Sequence, residues 1–446
     1  MAAEREEIKL VRSPLTHRTI LTIAIPVMLS NASTPLIGLV DTGVVGQIPD
    51  PAYIGAVAVG SLIFTFVFWA FGFLRMGTTG LTAQALGAGD GEEVAACLGR
   101  ALVIGAAIAG GLILLQWPIR EVAFAALDAS PGVERLARGY FDVRIWAAPA
   151  TLANYALLGW FVGLGRTDIG LVLQLVLNCT NIVLDALFVL GLGLAVRGVA
   201  LGTVIAEFLA AAVGVLVAVR YVRRYGARWR PDLVFAAGKL RRTVLVNIDI
   251  MIRSLALIAI FVWFVSHGAG LGDVILAANA VLLNFISVAA FFLDGLSFAA
   301  EALVGRAIGA AHRAGLTAAA RMTTVWAAGV AVIISAALAT LGPGLIDLVT
   351  VDSLARAAAR EYLPWAAFVP VLGVWAFQLD GIFIGATRTA EMRNAMLASL
   401  GIYLAAWWLL RSYGNHGLWA AFCLTYLARA GSLFYYYPAL VRSVPV

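Results

Sequence analysis

Ala83-Gln84-Ala85-Leu86-Gly87-Ala88 and Gly305-Arg306-Ala307-Ile308-Gly309-Ala310 are two versions of one stretch. The shift in numbering that carries Ala83 onto Gly305 also carries Gly163, Arg166 and Thr167 onto Gly385, Arg388 and Thr389, and Gly159 onto Gly381. One short match in a chain rich in alanine and glycine carries little weight. Two well-separated matches at a single offset mark a duplicated unit.

The duplicated unit is built for a membrane. The chain has 446 residues, of which 62% are hydrophobic and 13% charged, against roughly 25% charged in a soluble globular protein. Apolar stretches recur at about the 20 residues that cross a hydrocarbon core. They predict twelve spans, at 19–46, 54–80, 95–117, 137–164, 169–190, 198–219, 243–266, 274–303, 322–341, 363–386, 394–411 and 417–438. The expected fold is therefore an all-α integral membrane protein with twelve transmembrane helices in two six-helix lobes. Six spans per copy is an even number, so the copies share one orientation and form a parallel pseudo-two-fold repeat, as in alternating-access transporters. The expected boundaries are a tail at 1–18, a first lobe at 19–219, a linker at 220–242, a second lobe at 243–438 and a tail at 439–446. No cleavable signal is expected, because the charged start runs directly into a full-length span.

The linker sets the orientation. Arg220, Arg223, Arg224, Arg228, Arg230, Lys239, Arg241 and Arg242 face a single acid, Asp232, so the linker and both termini are expected on the cytoplasmic side. The net charge of +6 collects in short loops, which argues against nucleic acid as a partner. Cys97, Cys179 and Cys423 are isolated, so neither a disulfide nor a metal site is expected. No obligate protein partner and no cofactor is inferred.

Function is read from polar groups at bilayer depth. An acid there costs about 2.5–3.5 kcal/mol and marks an ion, proton or substrate route. Gln174, Asn178, Asn181 and Asp185 are spaced 4, 3 and 4 apart, which puts them on one face of the fifth span. Asp41 and Asp185 both come late in spans that start in the cytoplasm, and Thr203 comes early in a span that starts outside. Topology alone brings these three to similar depth. Two carboxylates close together in a poorly solvated lobe titrate as a coupled pair, which suits a group that loads and releases protons. Pro26 and Pro35 each remove a backbone hydrogen bond from the first span and can kink it. In the second lobe, Asp249 and Arg253 are one turn apart and are expected to neutralise each other. Asp380 is the second-lobe candidate for lining a cavity. Asp294, Glu301, Arg75 and Glu207 are expected in structural pairs or near span ends, and Phe64, Phe66, Phe68, Trp69, Trp407 and Trp408 at lipid-facing or interfacial positions.

Several of these stretches together resemble the multidrug and toxic compound extrusion (MATE) family, in its DinF-like branch. They are Val40-Asp41-Thr42-Gly43-Val44-Val45-Gly46, Asn181 with Asp185, Asn247 to Leu255, Leu293-Asp294-Gly295 with Glu301, and Leu379 to Arg388 running on to Asn394. The resemblance implies a V-shaped pair of six-helix bundles that exports lipophilic, often cationic compounds in exchange for protons. It implies a proton or cation site at Asp41, Asn181, Asp185 and Thr203, and a bending point at Pro26. Sodium-coupled relatives use a second-lobe acid at the position of Asp380 with a tyrosine four residues earlier; that position is Ala376 here. The first-lobe oxygens could still hold Na⁺.

The expected function is a proton-coupled multidrug exporter in a bacterial inner membrane, acting on small organic molecules. The alternatives are a sodium-coupled exporter of the same family and a flippase for lipid-linked precursors, which would need several basic groups in its cavity. An enzyme is not expected. His17, His267, His312 and His416 fall at loops or span ends, and no HExxH-type cluster exists.

Overall fold

The computed structural model of the protein describes residues 15–127, 129–224 and 226–445. Most of the expected N-terminal tail, residues 1–14, lies outside the described residues. Those described are overwhelmingly helical and contain no strand. In chain order the helices are α1 (His17–Val45), α2 (Pro51–Trp69), α3 (Phe73–Gly87), α4 (Gly91–Leu114), α5 (Gln116–Ala125) and α6 (Pro131–Arg144). They continue with α7 (Ala148–Gly163), α8 (Thr167–Asp185), α9 (Ala195–Arg224), α10 (Pro231–Val234) and α11 (Ala237–Ala269). The last five are α12 (Asp273–Gly309), α13 (Arg313–Val349), α14 (Ser353–Gly385), α15 (Thr389–Leu410) and α16 (Gly414–Arg442).

Among the described residues, eleven stretches are long and apolar enough to cross a membrane. The last, Thr389–Arg442, holds α15 and α16 joined by a 3₁₀ turn at Arg411–Tyr413, so the twelve expected spans all have helices. The second and fourth spans are each broken into two helices. Residues 70–72 form a turn between α2 and α3, and Ile145–Ala147 form a 3₁₀ turn just before Pro149, which sits in the first turn of α7 and has no N–H to carry the helix hydrogen bonding across the break. Asp50, Asp90 and Asp352 cap α2, α4 and α14 by accepting from the N–H groups of Ala52, Glu93 and Ala355 at 2.9, 2.9 and 2.6 Å.

The described chain forms two compact units. Residues 29–82 and 90–244 make the first; residues 15–28, 83–89 and 245–445 make the second. The units thus differ from the halves of the sequence at two places, the start of α1 and the end of α3. The linker belongs to the first unit. Arg100 donates to the carbonyl of Leu233 at 2.8 Å and ion-pairs with Glu93, and Lys239 reaches Glu93 at 2.6 Å.

Glycines set the closest helix approaches, and they do so twice over. A Cβ on Gly159 would lie 2.2 Å from the carbonyl oxygen of Arg75, and one on Gly381 would lie 2.4 Å from that of Ser297. For Gly163 and Thr79 the distance is 2.7 Å, and for Gly385 and Glu301 it is 2.5 Å. In each comparison both the glycine and its partner are related by the offset of the sequence repeat, so the same contact is built once in each unit.

Within the second unit, a Cβ on Gly87 would meet the Arg306 carbonyl at 2.1 Å, and one on Gly309 would meet the Gln84 carbonyl at 2.0 Å. This is one crossing read in both directions, between the two stretches that reveal the repeat. Gln84 secures it by donating to the carbonyl of Gly385 at 2.9 Å and to Thr387 Oγ1 at 3.1 Å.

Gly309→Val forces α3 and α12 apart at backbone level, an overpacking cost of about 1–3 kcal/mol or more. Its thermal unfolding midpoint in detergent should fall by several degrees. Gly401→Ala, where an added Cβ meets nothing within 4 Å, should hold or raise the midpoint, since alanine is the better helix former.

Candidate functional site

The first unit gathers Asp41, Asn181, Asp185 and Thr203 into one buried cluster. Asp41 sits in the last turns of α1, Asn181 and Asp185 on the inward face of α8, and Thr203 in the first part of α9. Asn181 and Asp185 are fully buried, and Asp41 is only 6% exposed. The carboxyl groups of Asp41 and Asp185 are side-chain neighbours, and Asn181 neighbours Asp185. Asn181 Nδ2 donates to Thr203 Oγ1 at 3.2 Å, and that hydroxyl donates back to the Val199 carbonyl at 2.9 Å.

Arg144 lies within electrostatic reach of Asp41 but pairs with Glu207 instead. Neither acid forms an ion pair among the described residues, and Asp41 Oδ1, Asn181 Oδ1 and both oxygens of Asp185 have no hydrogen-bond partner. Buried polar atoms are normally satisfied, so four orphaned oxygens in one place call for an explanation. They form a set of acceptors that a proton or a hard cation would satisfy.

Two backbone features hold the cluster in place. A Cβ on Gly202 would lie 2.2 Å from Asp185 Oδ1, so glycine leaves the space into which that carboxyl fits. Directly after Asp185 the helix widens into a six-residue π turn, Ala186–Gly191, a device that recurs at functional sites. Around this core, Gln174 donates to Asn178 Oδ1 at 2.7 Å, and Asn178 donates to Ser33 Oγ at 3.0 Å. Glu207 accepts from Asn154 at 2.7 Å and pairs with Arg144 at 3.3 Å, and Arg144 stacks over the rings of Phe64 and Phe68. Pro26 and Pro35 lie within the continuous helix α1.

The second unit treats its buried charges differently. Asp380 is 5% exposed and lies between Arg253 and Arg429, both of which ion-pair with it. Asp294 is within electrostatic reach of both arginines, and Glu301 of Arg253. The expected Asp249–Arg253 pair does not form. Arg253 reaches across to Asp380 on α14, while Asp249 pairs with Arg393 at 2.6 Å and accepts from Thr389 Oγ1 at 3.0 Å, both at the start of α15. Tertiary partners with better geometry displace the local one.

Sequence reasoning placed the four cluster residues and missed Gly202, Ser33, the π turn and the partners Arg144 and Asn154. Gly202 could have been flagged from its place beside Thr203 at the depth of two acids; the π turn leaves no mark in the residue pattern. The aromatic expectation divides. Phe66, Trp69 and Trp408 are exposed, whereas Phe64 and Phe68 are buried and Trp407 packs against the buried core of the second unit.

A duplicated helical membrane fold with buried acids in both units fits the architecture of a secondary transporter. Comparison with known proteins gives the family. The MatE family model matches twice, at residues 26–187 and 248–408, and the two matches start at positions related by the repeat offset. The chain belongs to the MATE family, whose members are transporters and not enzymes. It is 38% identical over 417 residues to DNA damage-inducible protein F of Escherichia coli (strain K12), covering 92% of this chain and 90% of that protein. It is 26% identical over 455 residues to a probable multidrug resistance protein NorM of Rhizobium meliloti (strain 1021), covering 97% and 95%. Among solved structures, MATE in the bent conformation and MATE in the straight conformation both superpose with a TM-score of 0.87. They have 17% and 18% sequence identity and cover 98% of this chain, with 98% and 99% of theirs.

The contrast between the units has a measurable consequence. Asp380→Asn leaves two buried guanidinium groups without their shared counter-charge, which costs about 3 kcal/mol or more and should lower the unfolding midpoint clearly. Asp41→Asn removes a buried acid that forms no direct ion pair and feels Arg144 only at a distance, so it should leave the midpoint unchanged or higher.

Gly202→Val pushes the Asp185 carboxyl out of its place. It should reduce coupled transport about tenfold or more while Asp41 and its neighbours remain folded, as judged by an unchanged elution profile in detergent.

Proposed function

We propose that this protein is a proton-coupled exporter of lipophilic or cationic organic compounds that works by alternating access. The observation that carries this reading is the Asp41/Asp185 pair, buried and without a direct ion pair among the described residues, Arg144 acting on Asp41 only at a distance. A carboxylate locked to arginine has little reason to exchange protons. A pair of carboxyls without a counter-ion is stabilised by binding one.

In the proposed cycle, a proton entering from outside neutralises the Asp41/Asp185 cluster and weakens its hold on a cationic substrate. The substrate leaves, the emptied carrier turns inward, the proton is released and new substrate loads. Asn181, tied to Thr203, stands beside the Asp185 carboxyl as a further polar group of the cluster. Pro26, which lacks a backbone N–H, gives α1 a place to bend when Asp41 changes charge. A membrane potential adds about 2.3 kcal/mol per charge per 100 mV. The eight basic residues of the linker favour a cytoplasmic linker and cytoplasmic termini, and the likeness to an E. coli protein supports a bacterial inner membrane. The orphaned oxygens are also hard donors suited to Na⁺, which makes sodium the second arm of the test.

That test is ethidium uptake into inside-out proteoliposomes under an acid-inside pH gradient, with and without sodium. Uptake driven by the pH gradient alone and lost in Asp41→Asn is expected. Uptake that needs an inside-high sodium gradient overturns proton coupling. Wild-type liposomes that take up no ethidium under either gradient overturn the organic-cation substrate class.

A further inference from the structure

We propose that the second unit binds the flat aromatic part of an organic cation at Trp263, Tyr403 and Trp407. These are the repeat counterparts of Asp41, Asn181 and Asp185, each reached by the offset that relates Ala83 to Gly305. The proposal rests on the transport reading above for its class of ligand.

The two copies hold these positions in the same backbone frame. Val40 and Gly46 flank Asp41 as Val262 and Gly268 flank Trp263. Thr203 Oγ1 donates to the Val199 carbonyl at 2.9 Å, and its counterpart Thr425 donates to the Ala421 carbonyl at 3.1 Å. The glycine contacts of Gly159 and Gly163 likewise recur at Gly381 and Gly385. The threonine and glycine contacts around the first-unit cluster are therefore repeated, while its π turn and Gly202 give way to a 3₁₀ turn at Arg411–Tyr413 and to Leu424. Acids and an amide in the first unit become indoles and a phenol in the second.

The replaced cluster is ordered and incomplete. His267 stacks on Trp263 with ring centroids 4.4 Å apart and meets Trp407 edge-on at 4.3 Å, and the two indoles meet edge-on at 5.3 Å. His267 Nδ1 lies 3.0 Å from the Trp263 carbonyl. A carbonyl only accepts, so Nδ1 carries a hydrogen in this contact. Tyr403 is fully buried, yet its hydroxyl has no partner, and the buried Nε1–H of Trp263 has none either. Two donors held dry and unpaired fit a ligand that brings a hydrogen-bond acceptor.

Aromatic residues near a span end usually form an interfacial belt. Tyr403 has no exposed surface, and Trp263 and Trp407 pack against the buried cluster that contains Phe264, Leu282 and Trp419. That placement points inward. No carboxylate stands at these three positions, so attraction for a cation comes from the ring faces, and stacking selects planar ligands.

The experiment is equilibrium binding of ethidium to the full-length protein in nanodiscs, read by fluorescence anisotropy. Trp407→Ala should weaken binding about tenfold, Tyr403→Phe about threefold, and Trp407→Phe less than Trp407→Ala. The same fold-losses should appear in the Asp41→Asn background, because the second-unit site does not depend on Asp41. Binding unchanged in both Trp407→Ala and Trp263→Ala overturns the proposal and assigns these rings to the interfacial belt. Binding abolished by Asp41→Asn alone also overturns it, leaving one site in the first unit and the transport reading intact. A wild-type protein that binds no ethidium overturns the proposal together with the organic-cation substrate class. If Trp407→Ala does not fold, Tyr403→Phe, which removes a single hydroxyl, decides the matter.

Discussion

Backbone-to-backbone contact at glycine is the constraint on which this structure depends. Inside a bilayer the lipid is as apolar as leucine, so helices gain little from burying apolar side chains against one another. Association relies on close packing, and close packing requires small residues at the crossings. Gly159, Gly163, Gly381 and Gly385 each stand where a Cβ would fall within 2.7 Å of a neighbouring carbonyl oxygen. The reciprocal crossing of Gly87 and Gly309 adds a contact whose two sides are copies of one another. The residues that reveal the duplication in the sequence are thus the ones the packing can least do without. That explains why Ala83–Ala88 and Gly305–Ala310 still match when most of the two halves no longer do.

On this shared frame the units have diverged in how they hold charge. The first unit keeps Arg144 with Glu207 and Arg100 with Glu93, and gives Asp41 and Asp185 no direct ion pair among the described residues. The second unit surrounds Asp380 with Arg253 and Arg429. Burying an ion pair is tolerable and breaking one is costly, so a charge held this way tends to stay as it is. An acid without a basic partner responds instead to whatever proton or cation arrives. The repeat positions make the contrast specific, since Glu207 corresponds to Arg429 and Asn31 to Arg253. The second unit has exchanged an acid and an amide for the two arginines that clamp Asp380.

What could be read from the sequence follows from the range of the interactions involved. Twelve spans were legible because hydrophobicity over about 20 residues is a strong local signal. Asn181 and Asp185 were legible as one face because helical spacing is local, and Asp41 and Thr203 joined them because topology fixes depth. Asp249 and Arg253 mislead for the same reason. Their one-turn spacing is real, but Arg393 and Asp380, distant in sequence, offer the better partners. Gly202 and the π turn after Asp185 act through backbone shape, which residue types encode only weakly. Trp407 was expected at the lipid or the interface, and its packing against the second-unit core could not be read from the sequence.

The asymmetry between the units also bears on how one carrier can couple an ion to a bulky organic molecule. A site made of oxygens suits a proton, which is small, charged and bound by few atoms. A large apolar cation needs area and ring faces, and it is held poorly by a buried carboxylate pair alone, because desolvating that pair and the ligand together is expensive. Duplication resolves the conflict by giving the fold two equivalent positions that can be specialised apart. On the reading proposed above, Asp41, Asn181 and Asp185 would serve the ion at one of them, and Trp263, Tyr403 and Trp407 would offer a lipophilic molecule its surface at the other. A chain of this kind can alter its range of substrates in one copy without disturbing the titrating group in the other.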